Sequence, residues 1–324
     1  MKKNLYQALN AFIKSAFLKL RVPLAIGWAL TYRCNQKCLY CGVWKSYYPE
    51  LSTDEVIKKI DEFKKLGTMY ISFTGGEPLL RDDLGEIIRY VRNKNIYISI
   101  SSNGSLVSKR IDDLEGVNMV KLSLDGPANV HDAIRGEGSF MHVINALEQC
   151  KLSSIPVSLG CVLSKYNLDY LDFLIKVALD YKLQIYFQPA SVNLLRINEV
   201  NPIAPPEKEY KIAIDKLIKS KKKGLPIGNS LSVLNYIYHY PNFKKINCFA
   251  GRLIFRIEPD AKVLACDRIS SFAVKQNEEK ENIVRQIARI SNVKDCGYCW
   301  CSSMAEFNFL FSLDLGAINN FLLS

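Results

Sequence analysis

Ten cysteines occur in this chain of 324 residues. Eight fall into two groups, Cys34, Cys38 and Cys41 near the start and Cys248, Cys266, Cys296, Cys299 and Cys301 near the end. A disulfide scaffold does not suit them, because the chain is long enough to bury a core and shows no secretory signal with an apolar stretch and a small-residue cleavage site. Clustered thiols in a reduced-compartment protein point instead to metal. Thiolates are the usual ligands of iron–sulfur clusters, and three on one short loop, spaced C-x3-C-x2-C, can hold three irons of a cubane and leave the fourth open. Zinc completed by one further Cys or His is the rival for the same residues. Cys150 and Cys161 stand apart and read as buried apolar thiols.

The second group has its own pattern. Two strand-like pieces flank a Pro259-Asp260-Ala261-Lys262 turn, a hairpin that returns Cys266 close to Cys248. After a helical stretch follows Cys296-Gly297-Tyr298-Cys299-Trp300-Cys301. Cys248, Cys266, Cys296 and Cys299 supply four thiolates, enough for a cluster with no open iron, with a structural zinc as the alternative.

The elements that must position these thiols alternate. From Pro23 to about Gln188, β-rich runs (Leu24 to Leu30, Tyr70 to Phe73, Tyr97 to Ser101, Met119 to Leu124, Val157 to Val162, Gln184 to Phe187) are separated by helix-period runs, the pattern of repeated βα units and a parallel sheet. Ser52 with Glu55 three residues on forms a capping box, and Gly67 closes that helix. Further helices are expected over Asp83 to Asn93, Ser139 to Cys150 and Leu168 to Tyr181. Six strands are too few for a closed eight-stranded barrel, so the fold class is α/β, a partial (β/α)6 barrel with a small C-terminal cysteine-rich α+β module. The expected divisions are an amphipathic helix over 1–22, the barrel over 23–189, a bridge with one or two helices over 190–247, and the cysteine module with an apolar helix over 248–324.

Cys34, Cys38 and Cys41 follow the first strand directly. Thr74-Gly75-Gly76-Glu77-Pro78 ends the second, where two glycines let backbone approach a ligand, Glu77 can accept from an ammonium group and Pro78 stiffens the turn. Ser101-Ser102-Asn103-Gly104 and Ser123-Leu124-Asp125-Gly126-Pro127 end later strands, and His131-Asp132-Ala133-Ile134-Arg135-Gly136 comes next. In this order and strand context the motifs resemble those of the radical S-adenosylmethionine (SAM) superfamily. The resemblance implies a 4Fe-4S cluster on Cys34, Cys38 and Cys41, whose open iron is chelated by the methionine part of SAM, and reductive cleavage of SAM to a 5'-deoxyadenosyl radical. It assigns Gly75, Gly76 and Glu77 to the methionine amino group, Ser123 and Arg135 to its carboxylate, and Tyr40 to adenine through its backbone. Ser101 and Asn103 belong to the same cofactor set. No catalytic acid, base or hydrogen donor is assigned, and the three histidines are too scattered for a metal or triad site.

The C-terminal module resembles the twitch module, a shortened relative of the SPASM domain, with Ala261 where the turn usually has glycine. One auxiliary 4Fe-4S cluster on Cys248, Cys266, Cys296 and Cys299 is implied, with Cys301 to spare. The activity implied is hydrogen abstraction with net oxidation or bond formation, and the electron donor a flavodoxin or ferredoxin. Three substrate classes stay open: a small molecule, a peptide under maturation and a membrane lipid.

The charge of +11 comes from lysines spread along helix faces, so no specific nucleic acid is expected. Leu5, Leu9, Phe12, Ile13, Ala16, Phe17 and Leu20 recur at helical spacing among lysines. That helix either packs on the protein's own body or lies on a membrane surface. A cytoplasmic protein, with peripheral membrane contact as the second reading, is expected.

Overall fold

The computed structural model describes residues 20–194, 199–266, 282–290 and 299–323. Nearly all of the N-terminal helix and Cys296 lie outside the described residues.

Eight strands form one sheet: β1 (Ala25–Thr31), β2 (Tyr70–Gly75), β3 (Tyr97–Ser102), β4 (Met119–Ser123), β5 (Val157–Leu163), β6 (Ile185–Pro189), β7 (Ile254–Ile257) and β8 (Val263–Leu264). Their order is β6-β5-β4-β3-β2-β1-β7-β8. The first six are parallel neighbours in sequence order, the partial barrel that the spacing predicts. The cysteine hairpin is not set apart: β7 pairs in parallel with β1, Ala25 opposite Ile254 and Trp28 opposite Ile257, and β8 returns antiparallel to β7.

The helices that cover the outer face are α1 (Thr53–Lys65), α2 (Leu84–Asn93), α3 (Ala128–Arg135), α4 (Ser139–Leu152) and α5 (Leu171–Asp180). Ser52 caps α1 with the full reciprocal box, its side chain accepting from the Glu55 amide while the Glu55 carboxylate accepts from the Ser52 amide. Strand alternation sorts the residues. Ile26, Trp28, Ile71, Phe73, Ile98, Ile100, Val120 and Leu122 enter the helix-side core, where Trp28 meets the Phe63 ring edge-on at 5.9 Å. The alternate residues, among them Ser72, Ser99, Lys121 and Tyr186, face the barrel interior. Cutting Phe63 back to Ala in this core would cost about 3–5 kcal/mol.

The bridge forms α6 (Glu207–Lys222) and α7 (Leu231–Ile237). Beyond it come α8 (Ile283–Arg289), α9 (Ser302–Phe311) and α10 (Leu315–Leu323). The single apolar helix expected over the tail is instead two, because Leu313 at φ 59° breaks the run. Phe307 and Phe311 of α9 pack with Leu24 and Phe249, and Phe307 meets Tyr70 edge-on at 5.4 Å, while Phe321 and Leu322 stay exposed. Among the described residues no helix is long and apolar enough to cross a membrane.

Candidate active site

The cysteine loop leaves β1 at Thr31 and is clamped from behind. The Arg33 Nε donates to Glu50 Oε1 at 2.9 Å, and buried Arg81 donates to the carbonyls of Leu30 (3.3 Å) and Leu51 (3.0 Å) while paired with Asp83. Cys38 is buried, and Cys34 and Cys41 are half-buried. Burial pushes the Cys38 thiol up to about 11, with Arg135 pulling it down and Cys41 and Cys34 pushing it up. Cys34 is raised for the same first reason and also lies in the field of Cys41 and Arg135. Three thiols that sense one another and one cation therefore share a small volume. Each must give up its proton when metal loads.

The glycine turn runs against this loop backbone to backbone. The Gly76 amide donates to the Thr31 carbonyl at 2.8 Å and the Glu77 amide to the Arg33 carbonyl at 2.9 Å. A Cβ at Gly75, whose φ is +136°, would strike the Thr31 carbonyl, and one at Gly76 would strike that of Arg33. Glycine is thus required for the turn and loop to meet.

Glu77 ties the turn to the neighbouring strand. Its carboxylate is fully buried and accepts from the Leu79 amide (3.2 Å), the Ser102 hydroxyl (3.0 Å) and the Asn103 amide (2.8 Å), bracing the end of β2 on the end of β3. Burial pushes it up to about 7, against the pull of those hydrogen bonds. Asn103 in turn donates to Asn35 of the cysteine loop at 2.9 Å. Ser101 and Ser123 sit half-buried at the ends of β3 and β4.

Sequence reasoning passed over the hub of the site, Asp125. Its carboxylate accepts from Arg135 Nε at 2.6 Å, the Val162 amide at 2.8 Å and the Tyr40 hydroxyl at 3.2 Å. The Arg135 guanidinium lies over the Tyr40 ring at 5.4 Å. Burial opposes the charge on Arg135, but Asp125, Tyr40 and Cys38 outweigh it and raise its pKa, so it stays a cation. Burial and Arg135 hold His131 down at about 4. Its Nδ1 accepts the Asp125 amide at 3.0 Å, which places the imidazole proton on Nε2, a buried atom with no partner among the described residues. Asp125 was already part of the noted Ser-Leu-Asp-Gly turn, and its contact with Arg135 was the missing link.

The second thiol group also assembles. Burial raises Cys299 well above an ordinary thiol, and the fields of Cys301, Cys266 and Cys248 reach it and push it further. Cys301, set aside in the sequence, is among them, whereas Cys296 lies outside the described residues. Cys150 and Cys161 are buried in the core as expected.

Among the described residues no three Cys, His, Asp or Glu side chains are set to hold a single metal ion. Cluster ligands bind separate irons and need only surround the cluster. The donor chemistry fits that group at Cys34, Cys38 and Cys41: thiols alone on one loop, with the Arg135 cation nearby.

A partial parallel barrel brings a three-thiol loop and a glycine turn together at the C-terminal ends of its strands, the arrangement that the motifs of a radical SAM enzyme lead one to expect. Residues 28–178, just under half of the chain, match the model of the Radical SAM superfamily, which supports a radical SAM enzyme. It is 28% identical over 258 residues to "Mycofactocin maturase MftC" of Mycolicibacterium smegmatis, covering 76% of this chain and 65% of that protein. It is 35% identical over 159 residues to "Fe-coproporphyrin III synthase" of Methanosarcina barkeri, covering 47% of this chain and 39% of that one. The chain thus spans just under two thirds of the first relative and less than half of the second. Among solved structures, anSMEcpe with bound AdoMet and Cp18Cys peptide superposes with a TM-score of 0.65 at 17% identity, over 93% of this chain and 100% of that one, a likeness of fold.

Proposed function

We propose that the chain binds a 4Fe-4S cluster through Cys34, Cys38 and Cys41, binds SAM beside it, and abstracts a hydrogen from a peptide in a net oxidation or bond formation. The observation that carries this is the docking of the Gly76 and Glu77 amides on the carbonyls of Thr31 and Arg33, which sets the glycine turn directly against the thiol loop. When bound, the cluster supplies the electron that cleaves SAM into methionine and a 5'-deoxyadenosyl radical. The protein's own task is placement. Gly75 and Gly76 offer backbone at close range, and Ser101, Asn103 and Ser123 line the strand ends. Arg135, held by Asp125 and stacked on Tyr40, presents a fixed cation to a carboxylate. Glu77 acts through the turn it braces.

The peptide reading draws support from the Cp18Cys peptide named with the superposed structure and from the maturase relative. A small-molecule substrate is the second reading, favoured by the 35% identity to the synthase. In the C-terminal module Cys248, Cys266 and Cys299, with Cys296 or Cys301, would hold an auxiliary 4Fe-4S cluster, which would supply an electron acceptor. Flavodoxin or ferredoxin fits as the donor. Anaerobically reconstituted protein given a strong reductant and SAM should form 5'-deoxyadenosine, and replacing Cys34, Cys38 and Cys41 with Ala should abolish it. Undiminished product from the triple variant overturns the reading.

A further inference from the structure

The barrel interior contains a cation with no assigned task. Val120 and Leu122 of β4 are fully buried on the helix side, so Lys121 between them points into the barrel, half-buried. Lys121 lies two residues before Ser123, about 7 Å deeper along the strand.

Its surroundings are shaped around it. On the neighbouring β5, a Cβ at Gly160 would come within 2.7 Å of Lys121 Cε, so the absent side chain gives the lysine stem its path. On β6, the Tyr186 ring stands beneath the ammonium, with Nζ 5.0 Å from its centroid. Tyr186 occupies that position because residue 228 is glycine, as a Cβ there would collide with the ring. Two glycines thus make room for a lysine and the tyrosine that steadies it. Among the described residues the ammonium has no hydrogen-bond or ion-pair partner. Burial lowers the Lys121 pKa, and the acidic groups whose fields oppose this and favour the ammonium are the Cys301 thiol and Glu306, whose carboxylate accepts the Ser230 amide at 2.7 Å. The ammonium stands inside the barrel below the strand ends, with its hydrogen-bonding capacity unspent among the described residues.

We propose that Lys121 is the recognition cation for an oxyanion of the substrate, a carboxylate or a phosphate, which it fixes one layer beneath the SAM site. This rests on the radical SAM reading for the claim that the interior is the substrate chamber. An ammonium donates up to three hydrogen bonds, and an oxyanion accepts them where neutral groups gain less. The anion would anchor one end of the substrate and leave its reacting carbon to rise toward the cofactor. Substrates lacking that anion would bind without register.

The test uses the reconstituted protein with SAM and two anomalously scattering probes, 4-bromobenzoate for a carboxylate and selenate for a tetrahedral oxyanion. An anomalous peak with its oxygen atoms within hydrogen-bond distance of Lys121 Nζ is expected for at least one, and which probe gives it separates the two chemistries. Titration calorimetry should show at least about tenfold weaker binding of that probe to Lys121→Met, the factor a charge-assisted hydrogen bond carries, with recovery in Lys121→Arg. No peak at Lys121 with either probe overturns the proposal, as does 4-bromobenzamide binding as tightly as 4-bromobenzoate. If Lys121→Met binds the anion unchanged but loses only stability, the residue is a counter-ion of Glu306 and the proposal fails. Should that variant not fold, the peak in the unaltered protein still decides. Anion binding needs no radical chemistry, so the deoxyadenosine assay fails or succeeds separately.

Discussion

Arg135 Nε lies 2.6 Å from Asp125 Oδ2, with the two side chains 6% and 0% exposed. Such a pair is held by its surroundings as much as by its own attraction, since the Val162 amide and the Tyr40 hydroxyl also donate to the carboxylate. Asp125→Ala would leave Arg135 charged and unpaired, at a cost of about 3–5 kcal/mol. Asp125→Asn, which keeps one acceptor oxygen, should cost less. Urea unfolding of the three proteins measures this. A loss below about 1 kcal/mol in Asp125→Ala, the scale of an exposed pair, would show that the charges are solvated after all.

Glu77 makes stability depend on pH in the direction opposite to a salt-bridged carboxylate. Folding raises it from an ordinary value of 4.5 to about 7, so the folded protein keeps a proton that the unfolded chain releases between those values. Stability therefore falls as pH rises from about 4.5 to about 7 and levels off above, by an amount on the order of 3 kcal/mol. Glu77→Gln, which does not titrate, should lack this part of the slope. Denaturation midpoints of both proteins across pH 4.5–8 settle it, and parallel curves would contradict the buried titration.

What the sequence disclosed was local. Strands β1 to β6 fall within a residue or two of their expected bounds because each carries its own alternation and its own turn residues. The capping box at Ser52 and Glu55 is likewise complete within four residues. The misses are non-local or ambiguous. Nothing near Ile254 announces that β7 pairs with Ala25 far earlier in the chain. Leu313 breaks the tail helix in a stretch of unbroken hydrophobicity, where apolar content carries no punctuation. The Glu77 carboxylate reads as an acceptor, and the partners it has in the protein, Leu79, Ser102 and Asn103, are visible only once β2 and β3 lie side by side. Lys121 escaped notice because a lysine in a strand announces only its charge.

Ala261 occupies a left-handed backbone conformation, φ +67°, in the turn between β7 and β8, where its amide donates to the Glu258 carbonyl at 3.0 Å. The turn thus keeps the geometry glycine would favour, although the residue is alanine. An L-residue pays roughly 1–2 kcal/mol there, and glycine returns part of that gain through its freer unfolded chain. Ala261→Gly should stabilise the protein by about 1 kcal/mol, read as a rise in the urea midpoint at constant slope. A fall would mean that burial of the Ala261 methyl group outweighs its backbone strain.

The ligand set of the second cluster turns on Cys296 against Cys301. Spacing favours Cys296 with Cys299, a C-x2-C pair, while the fields of Cys301, Cys266 and Cys248 also reach Cys299. In a background lacking Cys34, Cys38 and Cys41, the protein prepared without air should still carry iron, inorganic sulfide and a reducible paramagnetic signal. That signal should not respond to SAM, because all four irons already have thiolate ligands and none is open. Cys296→Ala in this background should lower the iron content and shift the signal, whereas Cys301→Ala should leave both nearly as they were. The reverse outcome makes Cys301 the fourth ligand. Zinc in place of iron in the parent background would identify a structural ion, and the preference for net oxidation would fall with the cluster. Far-ultraviolet dichroism of each variant separates loss of a ligand from loss of the module's fold.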